Sequence, residues 1–187
     1  EYDALDRLIV ETQPNGDRLD YTYDPVGNRT KVQVTRNAVL QSETNYTYDN
    51  LNRMASVTDS TGTTTYGYDN IGNLTSISRP NNTSSTYSYD SLNRLTQLQH
   101  HDANGALLAQ YTYQLSAAGR REVITEHNGR TTNNSYDNNY RLTAESITDP
   151  VNGDHNASYQ YDKVGNRTYQ TNNGVHTAYE YDANDRL

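Results

Sequence analysis

Seven Asp–Arg pairs punctuate the chain: Asp3/Arg7, Asp24/Arg29, Asp49/Arg53, Asp90/Arg94, Asp137/Arg141, Asp162/Arg167 and Asp182/Arg186. Carboxylates and guanidinium groups at so regular a spacing could line a row of ligand sites. They could equally be structural, each Asp capping a turn and each Arg pairing with it or with the neighbouring repeat. The recurrence favours structure, because chemistry needed once does not recur in every unit of an array. Other reactive groups are sparse. The neighbours His100 and His101 precede Asp102, but adjacent strand residues face opposite ways, so they are poorly placed to share a metal. The carboxylates of Asp149 and Asp154 flank an Asn-Gly turn without the spaced ligands and closing Glu of a calcium loop. No nucleophile elbow, phosphate loop or dinucleotide fingerprint occurs. The sequence therefore predicts no catalytic residue, no cofactor site and no metal site.

The elements that would position these residues are legible in a repeat. Tyr-Asp occurs at residues 2, 23, 48, 68, 89, 136, 161 and 181, at a mean period near 22 once a ninth, degenerate copy at Tyr113-Gln114 is included. A fixed period in this range marks a repeat architecture. Each unit begins with an alternating run ending in Tyr-x-Tyr, as in Tyr21/Tyr23, Tyr66/Tyr68 and Tyr159/Tyr161. Residues i and i+2 of a strand share a face, so these pairs predict tyrosine rows that stack from repeat to repeat as ladders.

A turn follows each Tyr, in two apparent lengths. The short one reads YDALDRL, YDNLNRM, YDSLNRL and YDANDRL; the long one, YDPVGNRT, YDNIGNLT and YDKVGNRT, reads as the insertion of one Gly. Gly27, Gly72 and Gly165 are then expected at positive φ, where a residue without Cβ is unstrained. An apolar residue three after the Tyr (Leu5, Val26, Leu51, Ile71, Leu92, Val164) is expected to tuck under the turn. A second alternating run and a Gly- or Asn-containing link complete the unit. The fold class that results is all-β, an antiparallel meander of about two strands per repeat and about 16 strands in total, with helix nearly absent. The repeat residues expected to build it are Tyr23, Asp24, Gly27, Arg29, Tyr48, Asp49, Arg53, Tyr68, Asp69, Gly72, Tyr89, Asp90, Arg94, Tyr136, Asp137, Arg141, Tyr161, Asp162, Gly165 and Arg167. They form one array of about eight repeats over residues 1–187, which opens and closes inside a repeat and so reads as a piece of a longer protein.

Composition bounds function. Leu, Ile, Val and Phe together supply only 29 of 187 residues, a level typical of disordered chains. The 18 Tyr, placed periodically, argue for order instead, each offering an apolar body with a polar tip. A net charge of −8 argues against nucleic acid. No apolar run approaches the 18 residues of a membrane helix, and no basic amphipathic stretch suits a membrane surface. Cys is absent, which rules out disulfides and thiol chemistry.

These motifs closely resemble the YD repeat, also called the RHS repeat, over essentially the whole chain. The family includes bacterial Rhs polymorphic toxins, the C components of Tc toxin complexes, wall-associated surface proteins and animal teneurins. The resemblance implies a curved β-ribbon spiralling into a hollow shell, secreted or on the cell surface and more often bacterial. In toxins the shell encloses a cytotoxic C-terminal domain. It implies as partners the other repeats and that enclosed domain, with glycans as the alternative ligand of an extracellular carbohydrate-binding or adhesion surface. Family shells end in a segment rich in D-P-x-G-L motifs that carries aspartyl self-cleavage. Here Asp-Pro occurs only at Asp24-Pro25 and Asp149-Pro150, and neither matches, so that activity does not carry over. The unpaired end strands and a half-apolar face further suggest a homo-oligomer of this stretch of chain.

Overall fold

The computed structural model describes residues 1–186; Leu187, the last residue of the predicted array, lies outside the described residues. The described chain contains sixteen strands and no helix. It divides into two compact units, the first made of residues 1–86 and 101–106, the second of residues 87–100 and 107–187.

The first unit holds β1 (Val10–Thr12), β2 (Asp17–Tyr23), β3 (Arg29–Arg36), β4 (Val39–Tyr48), β5 (Met54–Asp59), β6 (Gly62–Tyr68), β7 (Leu74–Ser78) and the first half of β8 (Ser84–Tyr89). The second holds the rest of β8, nearly all of β9 (Leu95–His101), and β10 (Leu107–Leu115), β11 (Arg121–Glu126), β12 (Thr131–Tyr136), β13 (Leu142–Thr148), β14 (His155–Tyr161), β15 (Arg167–Asn172) and β16 (Val175–Ala178). Within each unit the strands are hydrogen-bonded in chain order, an open antiparallel meander without crossover or closure. The predicted fold class and strand number hold.

The two faces differ as the alternation predicts. Directly paired residues of an antiparallel ladder share a face. On one face Tyr21, Val32 and Thr44 are in register, as are Tyr46, Val57 and Thr64, and Tyr66, Ile77 and Ser85. On the other run Thr22, Lys31, Asn45, Thr58 and Thr63, beside Thr47, Ser56, Thr65, Ser78 and Ser84. Hydroxyl pairs such as Thr47–Ser56 at 2.6 Å and Thr58–Thr63 at 2.9 Å hold this polar face.

Within each unit, among the described residues, no second layer covers either face. Among the described residues Val10 and Ala157 are the buried apolar side chains. Most of the Tyr, Val and Ile side chains are half-buried, shielded by their neighbours in the sheet.

A β-bulge recurs beside Tyr23, Tyr48, Tyr68, Tyr136 and Tyr161. Thr22 faces Lys31 but Tyr23 faces Arg29; Gly67 faces Ser76 but Tyr68 faces Leu74; Gln160 faces Tyr169 but Tyr161 faces Arg167. The extra residue lies on the outgoing strand, at Thr30, Thr75 and Thr168. Its effect is to put residues three apart, Arg29 and Val32, on the same face as Tyr21 and Tyr23.

The turns correct the reading of two lengths. Every Tyr-Asp turn spans the same five residues from the Asp. The Asp N–H donates to the carbonyl of the fifth residue, and the fourth residue's N–H donates back to the Asp carbonyl, in both the Asp24–Asn28 and the Asp49–Arg53 turns. Gly27 is therefore no insertion. It holds the place of Asn52, and both lie at positive φ, 100° and 59°. Gly72 and Gly165 agree with expectation at 99° and 111°. Asp and Asn tolerate the left-handed region as Gly does, so the αL position was read as a gap in the alignment of turns.

The tucked apolar residue is also overturned. Leu5, Val26, Leu51, Ile71, Leu92 and Val164 are all exposed. The Asp side chain occupies the concave side of the turn, leaving its third residue nowhere to point but outward.

The turn network as the candidate functional site

The Asp of each turn is a hub. One carboxylate oxygen of Asp49 accepts the N–H groups of Leu51 at 2.8 Å and Arg53 at 3.0 Å, while the other accepts Arg53 Nε at 2.7 Å. Asp3, Asp90 and Asp137 repeat this with Arg7, Arg94 and Arg141. Asp24 and Asp69 keep the two N–H bonds but give the second oxygen to the amides of Asn28 and Asn73, each at 2.9 Å. The fifth turn position is thus Arg or Asn. This explains the Asp–Arg spacing of five: Arg29 and Arg167 stand one place further on, in the strand opposite the Tyr, and do not pair with Asp24 or Asp162.

The fifth-position Arg also reaches the next repeat. Arg7 Nη1 donates to the Asp24 carbonyl at 3.0 Å, Arg53 to Asp69 at 3.1 Å and Arg141 to Asp162 at 2.9 Å. On the way the guanidinium lies over the next repeat's Tyr, 4.8 Å from the Tyr23 ring centre, 4.5 Å from Tyr68 and 4.8 Å from Tyr161. That Tyr answers: the hydroxyls of Tyr23, Tyr68 and Tyr161 donate to the carbonyls of Leu8, Met54 and Leu142 in the preceding repeat. Tyr48, Tyr136 and Tyr181 do the same to Arg29, Arg121 and Arg167. Where the fifth residue is Asn, the amides of Asn28 and Asn166 donate to the side chains of Asn52 and Asp185 in the next turn.

The predicted Tyr ladders take a different form. Neighbouring repeats are two strands, roughly 9.6 Å, apart, beyond the 4.5–7 Å reach of ring–ring contact. Arg fills the gap. Arg29 lies 6.0 Å from Tyr21 and 5.2 Å from Tyr46; Arg167 lies 5.7 Å from Tyr159 and 4.7 Å from Tyr179. Among the described residues the stacked ring pair is Tyr169–His176.

The degenerate repeat is also reassigned. The register shift falls between Gln114 and Leu115, and Leu115 faces Arg121 as Tyr23 faces Arg29. Leu115-Ser116, not Tyr113-Gln114, stands in the Tyr-Asp position, with Gly119 at φ 82°. Tyr113 is the first Tyr of the pair, and Arg121 lies 4.2 Å over it. Ser116 offers one oxygen, which accepts the Arg120 N–H at 3.1 Å. Arg120 still reaches the Asp137 carbonyl and stacks on Tyr136 and Tyr140, but its buried Nε has no partner. The sequence did carry this signal, in the S-A-A-G-R frame two residues downstream.

Electrostatics follow the same bonds. The Arg53 backbone N–H, opposed by desolvation and aided by the Arg53 side chain and the Leu51 N–H, holds the Asp49 carboxyl below the usual 3.8. Asp3, Asp90 and Asp137 are lowered in the same way. For Asp24, Asp69 and Asp162 burial is the largest influence and raises the pKa, yet the combined hydrogen bonds, led by the Asn28 side chain, the Asn73 side chain and the Asn166 N–H, leave each lowered.

Among the described residues no cluster of three or more His, Asp or Glu could hold a metal. His176 Nδ1 meets Thr171 Oγ1 at 2.9 Å, and His155 Nδ1 meets the Asn173 amide at 3.2 Å. Asp149, of the second Asp-Pro pair, is buried and accepts the N–H groups of Val151 and Asn152, with Arg130 at 3.5 Å.

The repeated hub, bulge and forward-reaching Arg define a repeat β-sheet protein. The sequence profile described as RHS Repeat matches residues 2–39, 48–84 and 68–107, and the chain belongs to that family. Among curated proteins no match is found. The fold resembles that of a TcdB2–TccC3 crystal structure, with TM-score 0.56 and 15% identity over 97% of this chain and 12% of that one. It also resembles a Tc holotoxin pore from Photorhabdus luminescens, with TM-score 0.56 and 16% identity over 92% of this chain and 11% of that one. TcdB2–TccC3 without its hypervariable C-terminal region gives 0.57 and 16%, over 92% and 11%. This chain thus spans about an eighth of the length of the proteins it resembles.

Two predictions follow from the hub. Lowered carboxyl pKa values mean that the folded chain binds fewer protons than the unfolded one, so their stabilisation is full above the unfolded value and is lost as pH falls through the folded ones. Tm is therefore flat from neutrality to about pH 5 and falls steeply below about pH 4; Asp49→Asn lowers Tm at neutral pH and shallows that fall, and an unchanged acid profile would contradict the assignment. Ser116→Asp gives Arg120 Nε the acceptor it lacks and stabilises the chain by about 1 kcal/mol, measured by urea denaturation; no gain would show that the Arg120 side chain is satisfied otherwise.

Proposed function

We propose that this chain is a wall segment of an RHS-repeat shell, non-catalytic itself, in a secreted or surface-exposed protein whose activity lies in an enclosed C-terminal toxin domain. The observation that carries the reading is the uniformity of the turn network. Eight turns spend their Asp on backbone N–H groups, and the Arg and Tyr side chains are committed to stitching repeat to repeat. Such a sheet needs no second layer, which suits a wall with a space on one side. Family membership and likeness to Tc proteins support the reading. One similar structure is described as TcdB2–TccC3–Cdc42, which fits a partner held with such repeats. Glycan stacking on the tyrosines is the weaker reading, because guanidinium groups already lie over Tyr21, Tyr46, Tyr68, Tyr159, Tyr161 and Tyr179.

The test is protease protection of the full-length protein that carries these repeats. A shell leaves its C-terminal domain intact at protease levels that degrade that domain when expressed alone. Equal degradation rates for the enclosed and the isolated domain would contradict the reading.

A further inference from the structure

The outward apolar residue of the turn is unexplained by the network. In the first unit Leu5, Val26, Leu51 and Ile71 hold the third position of four successive turns and are 68%, 71%, 65% and 71% exposed. The turn itself does not require them. Asn139 and Asn184 occupy the same position in the second unit and make the same N–H bond to their Asp. The second unit mixes these Asn with exposed Leu92 and Val164, whereas all four Tyr-Asp turns of the first unit carry an exposed aliphatic side chain, which is thus a surface property, not a folding requirement.

Its surroundings restrict what could cover it. The carboxylates of Asp3, Asp24, Asp49 and Asp69 are taken up inside their own turns. Arg7 and Arg53 fold back onto Asp3 and Asp49 and over Tyr23 and Tyr68. The exposed Asp6 beside Leu5 is the charged side chain of these four turns that is not taken up in this way, so the rim presents apolar tips with little free charge for a charged ligand to pair with. The tips also have a pitch. One stands on every second strand, so they recur at roughly 9.6 Å. A complementary surface must offer apolar groups at that same pitch over four repeats. The opposite rim of the unit does not: its links carry Pro14, Ser60-Thr61 and Pro80, with exposed aliphatic residues only at Val39 and Leu40.

We propose that the Asp-turn rim of the first unit is a self-association surface whose occupant is the same rim of a second copy. A two-fold axis across the rim brings Leu5 of one chain against Ile71 of the other and Val26 against Leu51, so that each row meets a row of identical pitch in a self-complementary contact. Four aliphatic tips a side with their flanking turn backbone bury on the order of 1,000 Å² in total, the low end for a specific interface, so the dimer is weak and concentration-dependent. The inference stands on the first unit alone and does not rest on the shell reading.

Sedimentation equilibrium of the 187-residue chain from micromolar to millimolar concentration tests it. The chain shows a monomer–dimer equilibrium, and the variant Leu5→Asn, Val26→Asn, Leu51→Asn, Ile71→Asn weakens it at least 100-fold with unchanged Tm. A wild-type chain monomeric throughout overturns the proposal, as does a variant that dimerises as tightly, which would place the contact at the end strands or a sheet face. Because the chain has no Cys, a second readout keeps the test open if the quadruple variant misfolds. Val26→Cys and Leu51→Cys chains, mixed and oxidised, form a mixed disulfide dimer; failure to cross-link above the level of a Val57→Cys control overturns the proposal.

Discussion

A one-layer sheet has nowhere to hide its apolar side chains, and every feature of this chain answers to that constraint. Ordinary domains gain most of their stability by burying a core between layers. Here Val10 and Ala157 are the buried apolar residues among those described, so lateral contact within the sheet must do what a second layer does elsewhere. Tyr suits the task. Its ring shields its neighbours while its hydroxyl reaches a backbone carbonyl one repeat back, and Arg bridges the gap between rings that are too far apart to touch. Each contact is modest, but they recur at every repeat, so stability is a sum of nearly identical nearest-neighbour terms.

The bulge and the αL residue are what allow the contacts to form. The bulge rotates the outgoing strand so that Arg29 or Arg167 faces the tyrosines. The αL residue closes the turn tightly enough for one carboxylate oxygen to collect two N–H groups. The exchange between Arg and Asn at the fifth position leaves this geometry intact and changes only how the turn is tied to the next one: through a guanidinium and a carbonyl, or through a pair of side chains. Tyr140 shows the tolerance of the scheme. It is a bulky residue at φ 66°, normally a strained choice, and it carries the Arg120 guanidinium over its ring.

Period, alternation and turn residues made the fold class and strand number legible in the sequence, because each is a local property that repeats. What could not be read was which residues are equivalent between repeats. Gly27 and Asn52 look like an insertion and its absence until both are seen at positive φ. Leu115-Ser116 shares no residue with Tyr-Asp, and only the strand register reveals it. Leu51 and Ile71 are apolar and so are expected to tuck under their turns, and only the Asp bonded to the turn's own N–H groups shows why they stay exposed. Pairing of Arg with its Asp or with the neighbouring repeat was legible as two alternatives; that one guanidinium does both, ending on the next Asp carbonyl, was not, since spacing within one repeat does not fix the acceptor in another.

The central claim is that Arg and Tyr of successive repeats are energetically coupled. A double-mutant cycle on Arg53→Met and Tyr68→Leu, read by urea denaturation, measures that coupling directly. The account predicts an interaction of about 1 kcal/mol between them. A coupling indistinguishable from zero, with each single variant destabilising on its own, would contradict it and return the stability of the sheet to backbone pairing alone.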